Sequence, residues 1–256
     1  MKLKELIISL LVIATISLGC GKSKFNASDE VASSSQVKES KEPPKTKDAV
    51  RKKSCKKSKK ALGIWTDVNS DGSIEGEKFL GYTKNYSGSE SAAKNYNYYS
   101  ASAHPKIGPD PEGFQSNIFF YNDNNGVNFN FFHNIDGAGS DDNQVKWEIK
   151  VSGNNLEDRV VLSDDRAELT LKNSKGQTNT YIGDFHYWRN TDGGIIGPLV
   201  TDDFTISVTY IENGDLADIA FYSNAGETIR LTSKELGSNS FIIATNLSGE
   251  ICEDDE

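Results

Sequence analysis

The sequence predicts an all-β protein: a two-sheet β-sandwich or jelly roll of about ten strands behind a polar tether. Three observations carry that expectation. From Ile64 onward, apolar and polar residues alternate with period two, the pattern of a strand with one buried face. The alternating runs are short and separated by clusters of Gly, Asn, Asp and Ser, residues that favour turns for distinct backbone reasons. Gly is frequent, at 22 residues, and the only Met is the initiator, a composition that favours strands and turns over long helices.

Taken in order, Ile118-Phe119-Phe120-Tyr121 and Val127–Phe131 flank Asn122–Gly126. That is a hairpin signature, with Gly126 able to adopt positive φ. Asp123-Asn124-Asn125-Gly126 is accordingly read as its turn. Val145, Trp147, Ile149 and Val151 alternate with Lys146, Glu148 and Lys150. Arg159–Leu162 and Ala167-Leu169-Leu171 follow, and Thr180–Phe185 precedes a stretch read as a glycine-rich loop, Asn190–Gly197. Phe204, Ile206, Val208 and Tyr210 alternate with Thr205, Ser207 and Thr209. Ile219–Tyr222, Thr228–Leu231 and Phe241–Ala244 complete the set. Ser140-Asp141-Asp142, Ser163-Asp164-Asp165 and Thr201-Asp202-Asp203 each precede such a run. They read as turn chemistry, because Asp and Ser side chains bond their own backbone, with ion binding as the alternative.

Ahead of the domain, Met1–Cys20 has a basic start at Lys2 and Lys4, an apolar run from Leu6 to Leu18, and a closing Gly19-Cys20. This is the anatomy of an export signal. It resembles a bacterial lipoprotein signal peptide, with Ser17 where that family usually carries Leu. The resemblance implies removal of residues 1–19, a lipid on Cys20 and attachment to a membrane, on the periplasmic side or the cell surface. An ordinary cleaved signal and an uncleaved anchor are the alternatives. Residues 20–60 read as a tether, with Pro43-Pro44 and too few apolar residues to offset the entropy of ordering. The domain is expected over 61–256. Within it, Val160–Asp165 and Asn190–Gly194 resemble loops of exported bacterial β-domains, a likeness that implies no activity.

Charge divides the chain. Gly21–Lys60 holds 13 Lys and Arg against 5 Asp and Glu, while Ala61–Glu256 holds 13 against 31. Phosphate repulsion makes so acidic a domain a poor partner for nucleic acid. The basic run over 51–60 suits either a solvated linker or contact with an anionic envelope surface. Of the three cysteines, lipidation of Cys20 leaves Cys55 and Cys252 as a pair for an oxidising compartment, one near each end of the domain.

The sharpest chemical motif is Asp67-Val68-Asn69-Ser70-Asp71-Gly72-Ser73-Ile74-Glu75-Gly76-Glu77. It is similar to the calcium loop of EF-hands and dockerins. The resemblance implies Ca2+ held by Asp67, Asn69, Asp71 and the Ser73 carbonyl, with Glu75 or Glu77 completing the shell. Lys78 stands where the family places its bidentate acid, and an acidic β-turn is the competing reading. His104, His133 and His186 show no zinc spacing, and no nucleophile elbow or phosphate-binding loop appears. A glycosidase carboxylate pair would meet only in the fold, so a polysaccharide hydrolase stays an alternative, as does a purely structural envelope protein.

Two aromatic stretches suggest a ligand face for a glycan or other partner: Tyr96-Asn97-Tyr98-Tyr99 and Asp184–Asn190. In a strand, Phe185, Tyr187 and Arg189 share one side, and His186 and Trp188 the other. His186, Tyr187, Trp188 and Arg189 are the candidates. An ordinary buried strand is the competing reading.

Overall fold

The structure, a computed structural model, describes residues 58–138, 142–200 and 203–252. Cys20, Cys55 and residues 51–57 of the basic run lie outside those residues. In chain order the elements are β1 (Ser58–Thr66), β2 (Phe79–Thr83), β3 (Asn85–Ser87), α1 (Ala92–Tyr96), β4 (Gln115–Asp123), β5 (Gly126–His133), β6 (Asn143–Gly153) and β7 (Arg159–Ser163). They continue with β8 (Leu169–Lys175), β9 (Thr178–Tyr187), β10 (Asp192–Leu199), β11 (Phe204–Glu212), β12 (Asp218–Tyr222), β13 (Thr228–Thr232), α2 (Ser233–Leu236) and β14 (Ser240–Cys252). No helix among the described residues is long and apolar enough to cross a membrane.

Two seven-stranded sheets form. The first runs β2-β1-β14-β11-β6-β9-β8, with every neighbouring pair antiparallel. The second runs β13-β12-β4-β5-β10-β7, with β3 beside β4. There β12 and β3 both run parallel to β4 and share one of its edges, β12 along Gln115–Phe119 and β3 along Phe120–Asn122. The β-sandwich expected from the alternation is therefore present, with more strands than the roughly ten anticipated. The extra ones are short or polar: β2 and β3 carry no long alternating run, and β1 begins inside the basic segment.

The alternation explains the packing. In β6, Val145, Trp147, Ile149 and Val151 are buried and the residues between them are half-exposed. The inward set meets Phe129, Phe131, Phe185, Ile206, Val208 and Ile243 in one core between the sheets. Burying each such side chain contributes about 1.5–3 kcal/mol before entropy is counted. The outer face of this sheet is wet along β6 and β8. Glu148 lies 3.3 Å from Lys150 and 3.1 Å from Lys172 there, pairs worth about 0–1 kcal/mol each.

The second sheet is covered on both faces, which accounts for the unbroken apolar run Ile118–Tyr121 and for the adjacent Phe131-Phe132. Ile118 and Phe120 point into the main core. Phe119, Tyr121 and Phe132 point away and pack under α1 with Ala92, Tyr96, Ile195 and Tyr222. Ser91 caps α1 by accepting from the Lys94 N–H.

The stretch expected as a glycine-rich loop is instead β10, buried along its whole length between β5 and β7. Its glycines serve close approach. A Cβ on Gly193 would sit 2.3 Å from the Phe131 carbonyl oxygen, and one on Gly197 would sit 2.2 Å from Asn128 Oδ1. The expected hairpin is present: Asp123 pairs with Gly126, and the Asn125 N–H donates to Asp123 Oδ1 at 2.8 Å.

One polar residue sits among the core aromatics. His133 ends β5 fully buried, its ring centre 4.6 Å from that of Trp147 and 4.9 Å from that of Phe185. Nδ1 lies 3.0 Å from Ser116 Oγ, and Nε2 has no partner. Burial alone pushes its pKa down to about 3, so the ring is neutral.

Candidate functional site

The side chains with the most unusual surroundings gather where β7, β8, β9 and β10 end. After β7 the chain turns through Asp164–Glu168 into β8. Ser163 fastens the turn, its hydroxyl donating to the Asp165 carbonyl at 2.6 Å and accepting the Leu169 N–H at 3.1 Å. The Asp164 N–H donates to Gly193 O, tying the turn to β10, and the Asp184 N–H donates to Glu168 O, tying it to β9. Asp192 opens β10. The ligand-capable oxygens of Asp165, Glu168 and Asp192 consequently lie within 4.8 Å of one another.

Burial grades across this group. Asp192 is 2% exposed and Asp164 9%, Glu168 is half-buried, and Asp165 is exposed. The His186 N–H donates to Glu168 Oε1 at 3.2 Å, and the Tyr96 hydroxyl lies 3.0 Å from Asp164 Oδ2. Beyond these, no protein donor reaches Asp164 Oδ1, Glu168 Oε2 or either oxygen of Asp192. Glu168 and Asp192 stand close enough to hydrogen-bond each other once one holds a proton.

Electrostatics follow from that geometry. Burial first, and then the Glu168 charge, push the Asp192 carboxyl up to about 10. Burial likewise pushes Asp164 up to about 8, against the opposing effect of the Tyr96 hydrogen bond. Glu168 is raised for the same leading reason, and Tyr98 is raised by burial and by the neighbouring acids. Carboxylates so placed need a proton or a cation, because charge without a partner is costly away from water.

An exposed aromatic flank adjoins the cluster. Phe185 and Tyr187 point into the core, while His186 and Trp188 point outward, Trp188 being 65% exposed. The Trp188 backbone N–H donates to Asn190 Oδ1, and Asn190 Nδ2 donates to Ala101 O at 2.8 Å. Thr191 is bonded to Ser102 and Ala103 on the same loop. That loop also carries Tyr99, exposed and stacked on His104 with ring centres 4.0 Å apart. Trp188 and Tyr99 thus stand on two loops buttoned together. Arg189 is exposed beyond the end of β9, where strand alternation no longer governs it. Tyr187 is structural, its hydroxyl donating to Asp215 Oδ1 at 3.0 Å.

In the Asp67–Glu77 loop the Asp67, Asp71 and Glu77 carboxylates accept from internal donors. Asp67 is fully buried, and its Oδ2 accepts from Ser207 Oγ at 3.0 Å. Asp71 Oδ1 accepts the Ser73 N–H, and Glu77 accepts the Val68 N–H and the Thr66 hydroxyl. Among the described residues, the acids that converge closely enough to share one ion are Asp165, Glu168 and Asp192. Sequence reading treats Asp164-Asp165 as turn chemistry, with ion binding as the alternative, and Asp192 as loop. The only signal joining them is the pair of short segments, Val160–Asp165 and Asn190–Gly194, already noted as similar to loops of exported β-domains.

Two cavities occur elsewhere. One is lined by Tyr210, Asn213, Leu216 and Leu236, the other by Tyr86, Pro109, Tyr222 and Glu227, and neither is bounded by the clustered acids. No protein family, curated protein or solved structure matches this chain.

Proposed function

We propose that this chain is an exported bacterial lipoprotein, held to a membrane through lipid on Cys20, whose β-sandwich binds an envelope or extracellular partner. The loop end bearing Trp188 and Tyr99 is the binding face, and a glycan is the ligand class that suits it. The observation that carries the reading is the 65% exposure of Trp188. A large apolar ring left in water is a loss of hydrophobic stabilisation that a ligand can recover, and its flat face suits the C–H side of a sugar ring. His186, Arg189 and Asn190 supply polar groups nearby. The basic run over 51–60 supports a second, electrostatic contact with an anionic surface.

One observation favours a second reading, a polysaccharide hydrolase. Asp192, a carboxyl with raised affinity for its proton, stands beside a second carboxyl, Glu168, and a neighbouring pair of carboxyls is what a glycosidase uses.

The test is binding of the purified full-length chain to peptidoglycan and to a panel of immobilised glycans. Trp188→Ala should abolish capture while leaving the unfolding midpoint unchanged. Capture by no glycan, or undiminished capture by the variant, defeats the glycan assignment. Release of reducing ends that disappears in Glu168→Gln would establish the hydrolase instead. Radiolabelled fatty acid should enter the wild type and not Cys20→Ala, and incorporation by both would remove the anchor from the proposal.

A further inference from the structure

We propose that Asp165, Glu168 and Asp192 hold a divalent cation of the hard, oxygen-seeking class, with Ca2+ the best fit. The proposal does not depend on what Trp188 binds.

Three features of the geometry lead there. First, the acids come from two separate segments, the β7–β8 turn and the start of β10, held together by the hydrogen bond from the Asp164 N–H to Gly193 O, while the Asp184 N–H ties the turn to β9. Two oxygens on one Ca2+, each at about 2.3–2.6 Å, stand no more than about 5 Å apart, and these lie within 4.8 Å.

Second, Asp192 is a carboxylate withdrawn from water without a donor of its own. It is 2% exposed, neither oxygen receives a hydrogen bond, and Glu168 Oε2 beside it is also unpartnered. Buried polar atoms are nearly always satisfied, so an orphaned pair of acceptors aimed at other acceptors marks the place of something positive. The raised proton affinities of Asp192 and Glu168 express the same deficit.

Third, the donor set is all oxygen, which selects Ca2+, Mg2+ or Mn2+ over softer ions. Three carboxylates provide between three and six of the roughly six to eight oxygens that Ca2+ takes, and exposed Asp165 leaves a side open for water to complete the shell.

The competing occupant is a proton shared between Glu168 and Asp192, and the experiment separates the two. The full-length chain, stripped with chelator, is titrated with Ca2+, Mg2+ and Mn2+ by calorimetry. It is also titrated with Tb3+, a calcium-sized ion whose luminescence is excited through nearby rings such as Tyr98. Saturable binding and a higher melting temperature with Ca2+ are expected. Asp192→Asn and Glu168→Gln should weaken binding by about ten- to a hundredfold or more. Asp71→Ala should leave it intact, distinguishing this site from the Asp67–Glu77 loop. If Asp192→Asn fails to fold, Glu168→Gln, at a half-buried position and of equal size, carries the test. Absence of saturable binding by all these ions leaves the shared proton as the occupant and overturns the proposal. So does binding that survives Glu168→Gln or disappears in Asp71→Ala.

Discussion

One buried ring, His133, should cost this domain stability as pH falls. His133 is neutral in the fold, with its pKa pushed down to about 3, and returns to the ordinary 6.5 when unfolded. Because the folded value is depressed, the unfolded chain binds the extra proton throughout the interval between the two. Stability from this residue is therefore complete above about pH 6.5 and is lost as pH falls toward 3. Each pH unit within the window costs about 1.4 kcal/mol. Between about pH 6.5 and 4.5 the loss comes to about 2–3 kcal/mol, a large part of a typical domain stability of about 5–15 kcal/mol. Asp164 and Asp192 act in the opposite sense. Their folded affinities for protons are raised, so their contribution improves as pH falls from above neutrality toward 4.

A raw pH profile mixes these signs, and the difference between wild type and His133→Gln isolates one. Gln never titrates and can still meet the Ser116 hydroxyl. Urea unfolding followed by the fluorescence of Trp147, whose ring abuts His133, should show the wild-type advantage shrinking by about 2–3 kcal/mol between about pH 6.5 and 4.5. A gap constant to within about 0.5 kcal/mol over that range would falsify the placement of a neutral, desolvated His133.

Other substitutions probe other parts. Trp147→Ala should cost about 3–5 kcal/mol in urea unfolding, because it empties the centre of the core, and a loss under 1 kcal/mol would contradict that position. Asp67→Ala should cost about 1–3 kcal/mol with or without added Ca2+, since it strands the buried Ser207 hydroxyl and a backbone donor. A loss appearing only when Ca2+ is present would support the calcium-loop reading. The backbone of Cys252 pairs with Ser58, three residues after Cys55. A Cys55–Cys252 disulfide is therefore expected in protein from an oxidising compartment, contributing up to about 4–5 kcal/mol in the loop-entropy account. Thiol labelling of the unfolded, unreduced chain tests it, and two reactive thiols at those positions would end the idea.

What was legible in the sequence was whatever one period could encode. Val145–Val151 alternates because one face of β6 meets the core and the other meets water, and Phe204–Tyr210 alternates because the outward Ser207 and Thr209 meet polar partners, Asp67 and Ser240. Asn122–Gly126 reads as a turn because its chemistry is local. Asn190–Gly197 misled for a physical reason: a strand buried on both faces shows no alternation, and glycines that admit a neighbouring backbone look the same in sequence as glycines that bend a loop. The acidic cluster was hidden by distance. Glu168 and Asp192 are 24 positions apart, and only the pairing of β10 beside β7 makes them neighbours. Trp188 was easier, since parity along β9 separates it from Phe185 and Tyr187, whereas parity placed Arg189 with the core set and failed because the strand ends at Tyr187.

The pairing of the first strand with the last has a mechanical consequence. Ser58 and Cys252 are opposite partners, so the chain enters and leaves the sandwich at one rung of the ladder. Tension applied between those two ends would load the β1–β14 bonds one after another, starting at that rung, instead of shearing many at once. Low force would unzip the pair, and little of it would travel through the aromatic core. A disulfide beside the rung would carry the load before any hydrogen bond did, turning the weakest point of the domain into a clasp.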